Sequence, residues 1–247
     1  MKRFSILLFV MSFLFSAGAQ VKIHVHNDYE KPGPLVDALQ IKAFSIEVDV
    51  FLVRGELLVA HTLKETKKGK TLSSLYINPI IQLFKKYNGA VSPDSFYKTA
   101  LLIDIKTNGK EVLQELVRLF EPLRTYFDRS KNPLAVQLII SGDRGPITEW
   151  KDYPSYIYFD GRPFEEYDKE AMDKMAMISD NYYKYLSRTN TGDIAKLTGI
   201  VKKAHVWNKP VRFWGSPDTE ATWKLLNACG ADIINTDLPA ACRAFFK

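Results

Sequence analysis

Short apolar runs recur along the chain at strand length, and between them apolar positions return at helical spacing. "KIHVH" (22–26), "FSIEVDV" (44–50), "ALLIDIK" (100–106), "LAVQLII" (134–140), "YIYF" (156–159), "MAMIS" (175–179), "PVRFW" (210–214) and "ADIIN" (231–235) read as eight strands. "PLVDALQ", "LSSLYINPIIQLFKKY", "KEVLQELVRLF", "DIAKLTGIVKKAHVW", "TEATWKLLNAC" and "LPAACRAFF" read as helices. In "KEVLQELVRLF", Val112, Leu113, Leu116, Val117 and Phe120 form one apolar stripe. "NPIIQLFKKYNGAVSPDSFYK" (78–98) reads as a looser insertion ahead of the third strand. Strands that alternate with helices or loops over this length predict an α/β fold, a (β/α)₈ TIM barrel. A doubly wound open sheet is the alternative. Sites on such barrels lie at the C-terminal ends of the strands, so the polar residues there matter most.

The chain starts differently. Lys2 and Arg3 precede an apolar run from Phe4 to Phe15, and Ser16-Ala17-Gly18-Ala19 follows. This reads as a secretory signal peptide over 1–19, too short to span a bilayer, with a single barrel domain over 20–247. The expectation is an exported protein, periplasmic or extracellular. The net charge of +6 admits anionic substrates. No basic cluster is interleaved with aromatics, so nucleic acid is not an expected partner. The densest basic run, "KETKKGK" (64–70), reads as a solvated loop. Cys229 and Cys242 are too few for a zinc site, and export would permit them to pair.

The chemistry lies where the strands break the apolar rule. In "FSIEVDV", Ile46, Val48 and Val50 face one way, and Ser45, Glu47 and Asp49 the other. Two carboxylates on one face of a barrel strand are costly unless paired or metal-bound. "LLIDIK" puts Asp104 at a strand end, with Lys106 on the same face. Glu47, Asp49 and Asp104 would meet at one end of the barrel. Oxygen ligands with few His and no Cys suit one hard divalent cation, Ca²⁺ ahead of Mg²⁺. "LLVAHTL" brings up His61, which with His26 forms an acid/base pair. His24 and His26 alternate on the first strand and share a face, which leaves a zinc pair open at this point. "SGDRG" (141–145) and "FDGRP" (159–163) end later strands with Arg144 and Arg162, able to grip a headgroup phosphate or to pair with neighbouring carboxylates. Asp237 is expected to cap the last helix.

"HNDY" (26–29), "EVD" (47–49), "VAHTL" (59–63) and "LLIDIK" (101–106) together resemble the phospholipase C-like phosphodiesterases, which include phosphoinositide-specific phospholipase C and glycerophosphodiester phosphodiesterase. "VRFWGSPD" (211–218) and "GADIINTDLP" (230–239) resemble the last two strands of the glycerophosphodiesterases. The resemblance spans nearly the whole mature chain and implies the same barrel. It implies that His26 and His61 are general base and general acid, and that Asn27, Glu47, Asp49 and Asp104 hold a metal. It further implies that Lys106 faces the phosphate and Trp214 walls the substrate pocket. His24 and Asp28 stand beside these as candidates to orient them. The glycerophosphodiesterase "H-R-G" and "E-N-T" motifs are absent, so the resemblance points to a poorly characterised branch with "H-N-D-Y" and "L-x-S-L-Y", here "LSSLY" (72–76), and leaves the headgroup open.

The implied activity is hydrolysis of a phosphoric diester, a glycerophosphodiester or a phospholipid headgroup. Two other classes compete. A His-x-His amidohydrolase or phosphoesterase barrel needs further strand-end histidines, and after His61 only His205 remains, on a helical stretch. A non-catalytic barrel that binds phospholipid or glycan would not need both histidines.

Overall fold

The computed structural model describes residues 20–247 except Lys68; the expected signal peptide lies outside the described residues. Nine strands form one sheet: β1 (Lys22–Val25), β2 (Ser45–Val53), β3 (Glu56–Val59), β4 (Ala100–Ile105), β5 (Gln137–Gly142), β6 (Ile157–Gly161), β7 (Met175–Asn181), β8 (Val211–Trp214) and β9 (Ile233–Thr236). Eight of them are parallel and close into a barrel, because β1 pairs with both β2 and β9. The barrel strands are the eight read from the sequence. β3 is the addition: it pairs antiparallel with β2 alone. Arg54 and Gly55, both at positive φ, make the two-residue turn between them.

The α-helices are α1 (Val36–Gln40), α2 (Asn78–Lys86), α3 (Gly109–Phe120), α4 (Arg124–Phe127), α5 (Lys169–Lys174), α6 (Ile194–Val206), α7 (Glu220–Ala228) and α8 (Pro239–Phe245). The stretch expected to be a looser insertion is therefore helical over its first half. A π-helical turn, Ser73–Ile77, leads into α2. The stripe on α3 packs as its spacing demands, with Val112, Leu113, Leu116 and Phe120 buried against the sheet. Between β5 and β6 the covering helix shrinks to a 3₁₀ turn. Trp150 fills the space, its ring stacked on Phe159 at 4.4 Å.

Two different interiors result. Outside the strands, Ile46, Val48, Val50, Ile103 and Ile140 join the apolar layer under the helices. Inside the barrel the floor is apolar: Ala100, Leu102, Ile139, Met177 and Ile233. Above it, His24, Ser45, Glu47, Ser141, Asp160, Ser179, Arg212 and Asn235 are all buried and all polar. TIM barrels ordinarily fill such layers with branched apolar residues. This one replaces a layer with hydrogen-bonding groups, and the mouth rests on it.

Gly142 shows how tightly that layer is drawn. It ends β5 at a φ of +69°, beside Ile105 on β4. A Cβ there would overlap the Asp104 carboxylate and the Ile105 carbonyl. Gly142→Ala is expected to destabilise the fold by about 2–4 kcal/mol, from the left-handed backbone and the clash together. The shift of the urea unfolding midpoint measures it, and an unchanged midpoint refutes the assignment.

Candidate active site

β2 carries the centre of the site. Glu47 and Asp49 alternate with apolar residues and so point into the barrel, and the register sets Asp49 beside Asp104 of β4. One carboxylate oxygen from each of Glu47, Asp49 and Asp104 lies within 4.8 Å of the others. The three residues that looked convergent in the sequence do converge.

Asp49 is asymmetric. Its Oδ2 meets the Tyr29 hydroxyl at 2.8 Å, Lys106 Nζ at 2.7 Å and His61 Nδ1 at 3.2 Å. Its Oδ1 is buried without a hydrogen-bond partner. Burial pushes the Asp49 carboxyl above the usual range despite Lys106. Burial likewise pushes Asp104 up to about 6, with Lys106 offsetting only part of the effect. Crowded oxygens, one orphaned, fit a hard divalent cation held by Glu47, Asp49 and Asp104. The Tyr29 hydroxyl, also 3.4 Å from Asn27 Oδ1, sets the Asn27 amide beside the same group.

The two histidines of the first strand separate. His24 is fully buried, with Nε2 2.5 Å from Glu47 and Nδ1 2.7 Å from Ser45 Oγ. Burial, reinforced by Arg212, lowers its pKa to about 4. It is therefore neutral at pH 7, donates from Nε2 to Glu47 and accepts from the Ser45 hydroxyl. With both nitrogens engaged it has none left for a metal. His26 stands at the mouth, with Nδ1 3.0 Å from Asp237 Oδ1 and Nε2 3.8 Å from Glu47 Oε1. Burial lowers its pKa, but the Asp237 hydrogen bond and the Glu47 charge outweigh this and raise it.

The remaining candidates divide. Lys106, Trp214 and Arg162 line a cavity of about 310 Å³ with His26, Glu47 and Asp104. Arg144 does not line it: Glu165 holds its guanidinium in a forked pair at 2.7 and 3.1 Å. Asp28 points away from the mouth, its Oδ2 accepting from the Tyr76 hydroxyl and the Leu35 amide. Asp237 does not cap α8, whose first turn has no side-chain cap; it accepts from His26 and from Lys31 Nζ instead. Cys229 and Cys242 are both free.

Arg212, Asp160, Asn235 and Tyr29 were not picked out from the sequence. Arg212 Nη1 donates to Glu47 at 3.2 Å and to Asn235 at 2.7 Å, while Nη2 reaches Asp160 at 3.2 Å. Asp160 also accepts from Ser179 and Ser141 and pairs with Arg162. An Arg at the centre of a short apolar strand, "VRF", was the available signal.

A parallel barrel with two carboxylate-oriented histidines and an acidic trio at its mouth defines a phospholipase C-like phosphodiesterase. Residues 15–143 match the AIM6-like phosphodiesterase domain, and the chain belongs to that family. Residues 210–240 match the glycerophosphoryl diester phosphodiesterase family. Altered inheritance of mitochondria protein 6 homolog of Arthroderma benhamiae is 26% identical over 272 residues, 92% of this chain and 84% of that one. A glycerophosphodiester phosphodiesterase from Parabacteroides distasonis has the same fold, with a TM-score of 0.57 at 16% identity over 92% of this chain and 97% of its own. A Ca²⁺-dependent phosphatidylinositol-specific phospholipase C from Streptomyces antibioticus follows at 0.56 and 14%, over 90% and 95%.

Asp160 makes a pH test of the layer below the mouth. Burial pushes its carboxyl up, but Arg162, Arg212 and Ser179 more than reverse this and hold it at about 2. An unfolded Asp titrates near ~3.9, so the stabilisation is complete above that pH and is lost as pH falls towards the folded value. Asp160→Asn should flatten the fall in unfolding free energy between about pH 4 and pH 2. At pH 7 it should cost roughly 2–4 kcal/mol, because Arg162 and Arg212 lose their anion. Urea titrations across that range measure both, and an unaltered slope refutes the assignment.

Proposed function

We propose that this chain is an exported, metal-dependent hydrolase of phosphoric diesters, acting on a glycerophosphodiester or a phospholipid headgroup. The observation that carries the reading is the placing of two imidazoles about one acidic cluster, His26 beside Glu47 and His61 beside Asp49, each oriented through Nδ1 by a carboxylate. Nδ1 bonding leaves each Nε2 as the working nitrogen. The N-terminal apolar run behind Lys2 and Arg3 supports export.

The diester would sit in the cavity with its phosphate against Lys106 and its headgroup against Trp214. His26 takes the proton of the attacking oxygen. That oxygen belongs to a hydroxyl adjacent to the phosphate, where the substrate has one, and otherwise to water. Asp237 steadies the imidazolium that forms. His61 gives its proton to the departing alkoxide. Lys106 offsets charge gathering on the non-bridging oxygens. A divalent cation held by Asn27, Glu47, Asp49 and Asp104 would supply further positive charge there. Ca²⁺ is favoured over Mg²⁺, because oxygens from three separate segments suit a flexible coordination shell better than a strict octahedron; the Streptomyces neighbour is named as Ca²⁺-dependent.

Turnover of bis(p-nitrophenyl) phosphate and of a glycerophosphodiester panel, with EDTA and after re-addition of Ca²⁺ or Mg²⁺, tests the reading. EDTA is expected to abolish turnover, and His26→Ala and His61→Ala are each expected to lower kcat by about 100-fold or more. Absence of chelator-sensitive turnover on any diester sinks the proposal.

A further inference from the structure

Five large apolar side chains stand exposed on loops that leave the C-terminal ends of strands. Phe164 follows β6, Tyr183 follows β7, Trp214 ends β8 and Leu238 follows β9, with 61%, 47%, 37% and 50% of their surfaces open to solvent. These four strands are consecutive in the barrel, so the side chains form an unbroken arc around one half of the mouth. Position 215 links two of them: a Cβ added there would touch the Tyr183 ring. Leu63, 60% exposed, stands across the mouth on the loop after His61. Burial elsewhere is thorough, so this clustering is not the scatter of single apolar residues that any surface shows.

The charges around the mouth are arranged to match. Lys184 and Lys203 lie over the Phe164 ring at 5.8 and 5.9 Å. Behind Leu63, the exposed Lys64, Lys67 and Lys70 face solvent with Glu65 the one acidic neighbour in that loop. The exposed carboxylates beside the arc are Glu166 and Asp237, and Asp237 is already paired with His26 and Lys31. The rim is therefore apolar on one side and basic on the other.

We infer that this rim docks on a lipid surface that carries negative charge, and that the protein works on diesters presented there; this rests on the diesterase reading above. The argument for this occupant is continuity with the cavity. Trp214 belongs both to the arc and to the cavity wall, so whatever covers the arc also covers the mouth. A second copy of the chain or another protein seated there would close the cavity. A bilayer seated there fills it with headgroups. Apolar side chains at the level of the lipid headgroups with lysines beside them are the ordinary recipe for interfacial binding.

Sedimentation of the full chain with vesicles of phosphatidylcholine alone, and of phosphatidylcholine with a third phosphatidylglycerol, tests the inference in EDTA, where no turnover interferes. Binding is expected to the anionic vesicles and to be weaker on the neutral ones. The triple variant F164S/Y183S/L238S should bind about tenfold or more weakly. Its turnover of soluble bis(p-nitrophenyl) phosphate and its thermal melt should match the parent's. A second variant, K64Q/K67Q/K70Q, should lose most of the preference for anionic vesicles. Failure of the parent to bind either vesicle, or undiminished binding by the triple variant, overturns the docking. So does a dimer in solution that the triple variant dissociates, since the arc is then an interface between copies. Vesicle binding without soluble turnover would instead overturn the diesterase reading and leave the docking standing.

Discussion

A guanidinium locked between two carboxylates inside the barrel holds the rest in place. Arg212 rises from β8 and divides its donors among Glu47, Asp160 and Asn235. Taking three charges out of water costs several kcal/mol each unless the geometry returns it. Here every member has further partners: His24 on Glu47, two serines and Arg162 on Asp160. The result is a rigid polar layer between the apolar floor and the mouth. Glu47 has one oxygen committed downward to His24 and Arg212, which leaves the other for the cavity. A flexible carboxylate at that position could not set the separation of Glu47 from Asp49 and Asp104.

The same economy governs Asp49. Oδ2 collects Tyr29, Lys106 and His61 from three different segments of chain, and Oδ1 is kept bare. One carboxylate thus orients an imidazole and an ammonium while it keeps an oxygen for a cation. Substitutions at Asp49 would disturb acid/base, phosphate and metal functions together, so its role is not separable by mutation in the way that those of His26 and His61 are.

The barrel was legible because its signals are local. Eight apolar runs at strand length, and the stripe on α3, need no knowledge of tertiary contacts. The acidic trio was legible for a related reason: alternation on "FSIEVDV" fixes which face Glu47 and Asp49 share, and carboxylates on that face demand a partner. Partners themselves were not legible. Arg212, Asp160 and Asp237 take their roles from residues 165, 52 and 211 positions away respectively. Asp237 precedes a Leu-Pro helix start and looked like a cap, yet the barrel closure between β1 and β9 turns it towards His26. Arg144 failed in the opposite direction: a strand-end Arg has the right address for a headgroup, but Glu165, on the loop after β6, reaches it first.

The histidines occupy unequal supports. His26 follows a strand of the closed barrel, and its backbone amide is bonded to the Thr236 carbonyl at the end of β9. His61 comes from β3, which is attached to the barrel only through its pairing with β2. Its side chain is more exposed than that of His26 and has one carboxylate to steady it. The mouth is thus built with one fixed side, where Arg162, Arg212 and Trp214 belong to consecutive barrel elements, and one side delivered by a hairpin. Acid/base chemistry requires a fixed distance from each imidazole to the phosphate, but not to the groups beyond it. A rigid wall under His26 with a hairpin edge carrying His61 meets that requirement, and it places any latitude in the size of the leaving group on the hairpin side.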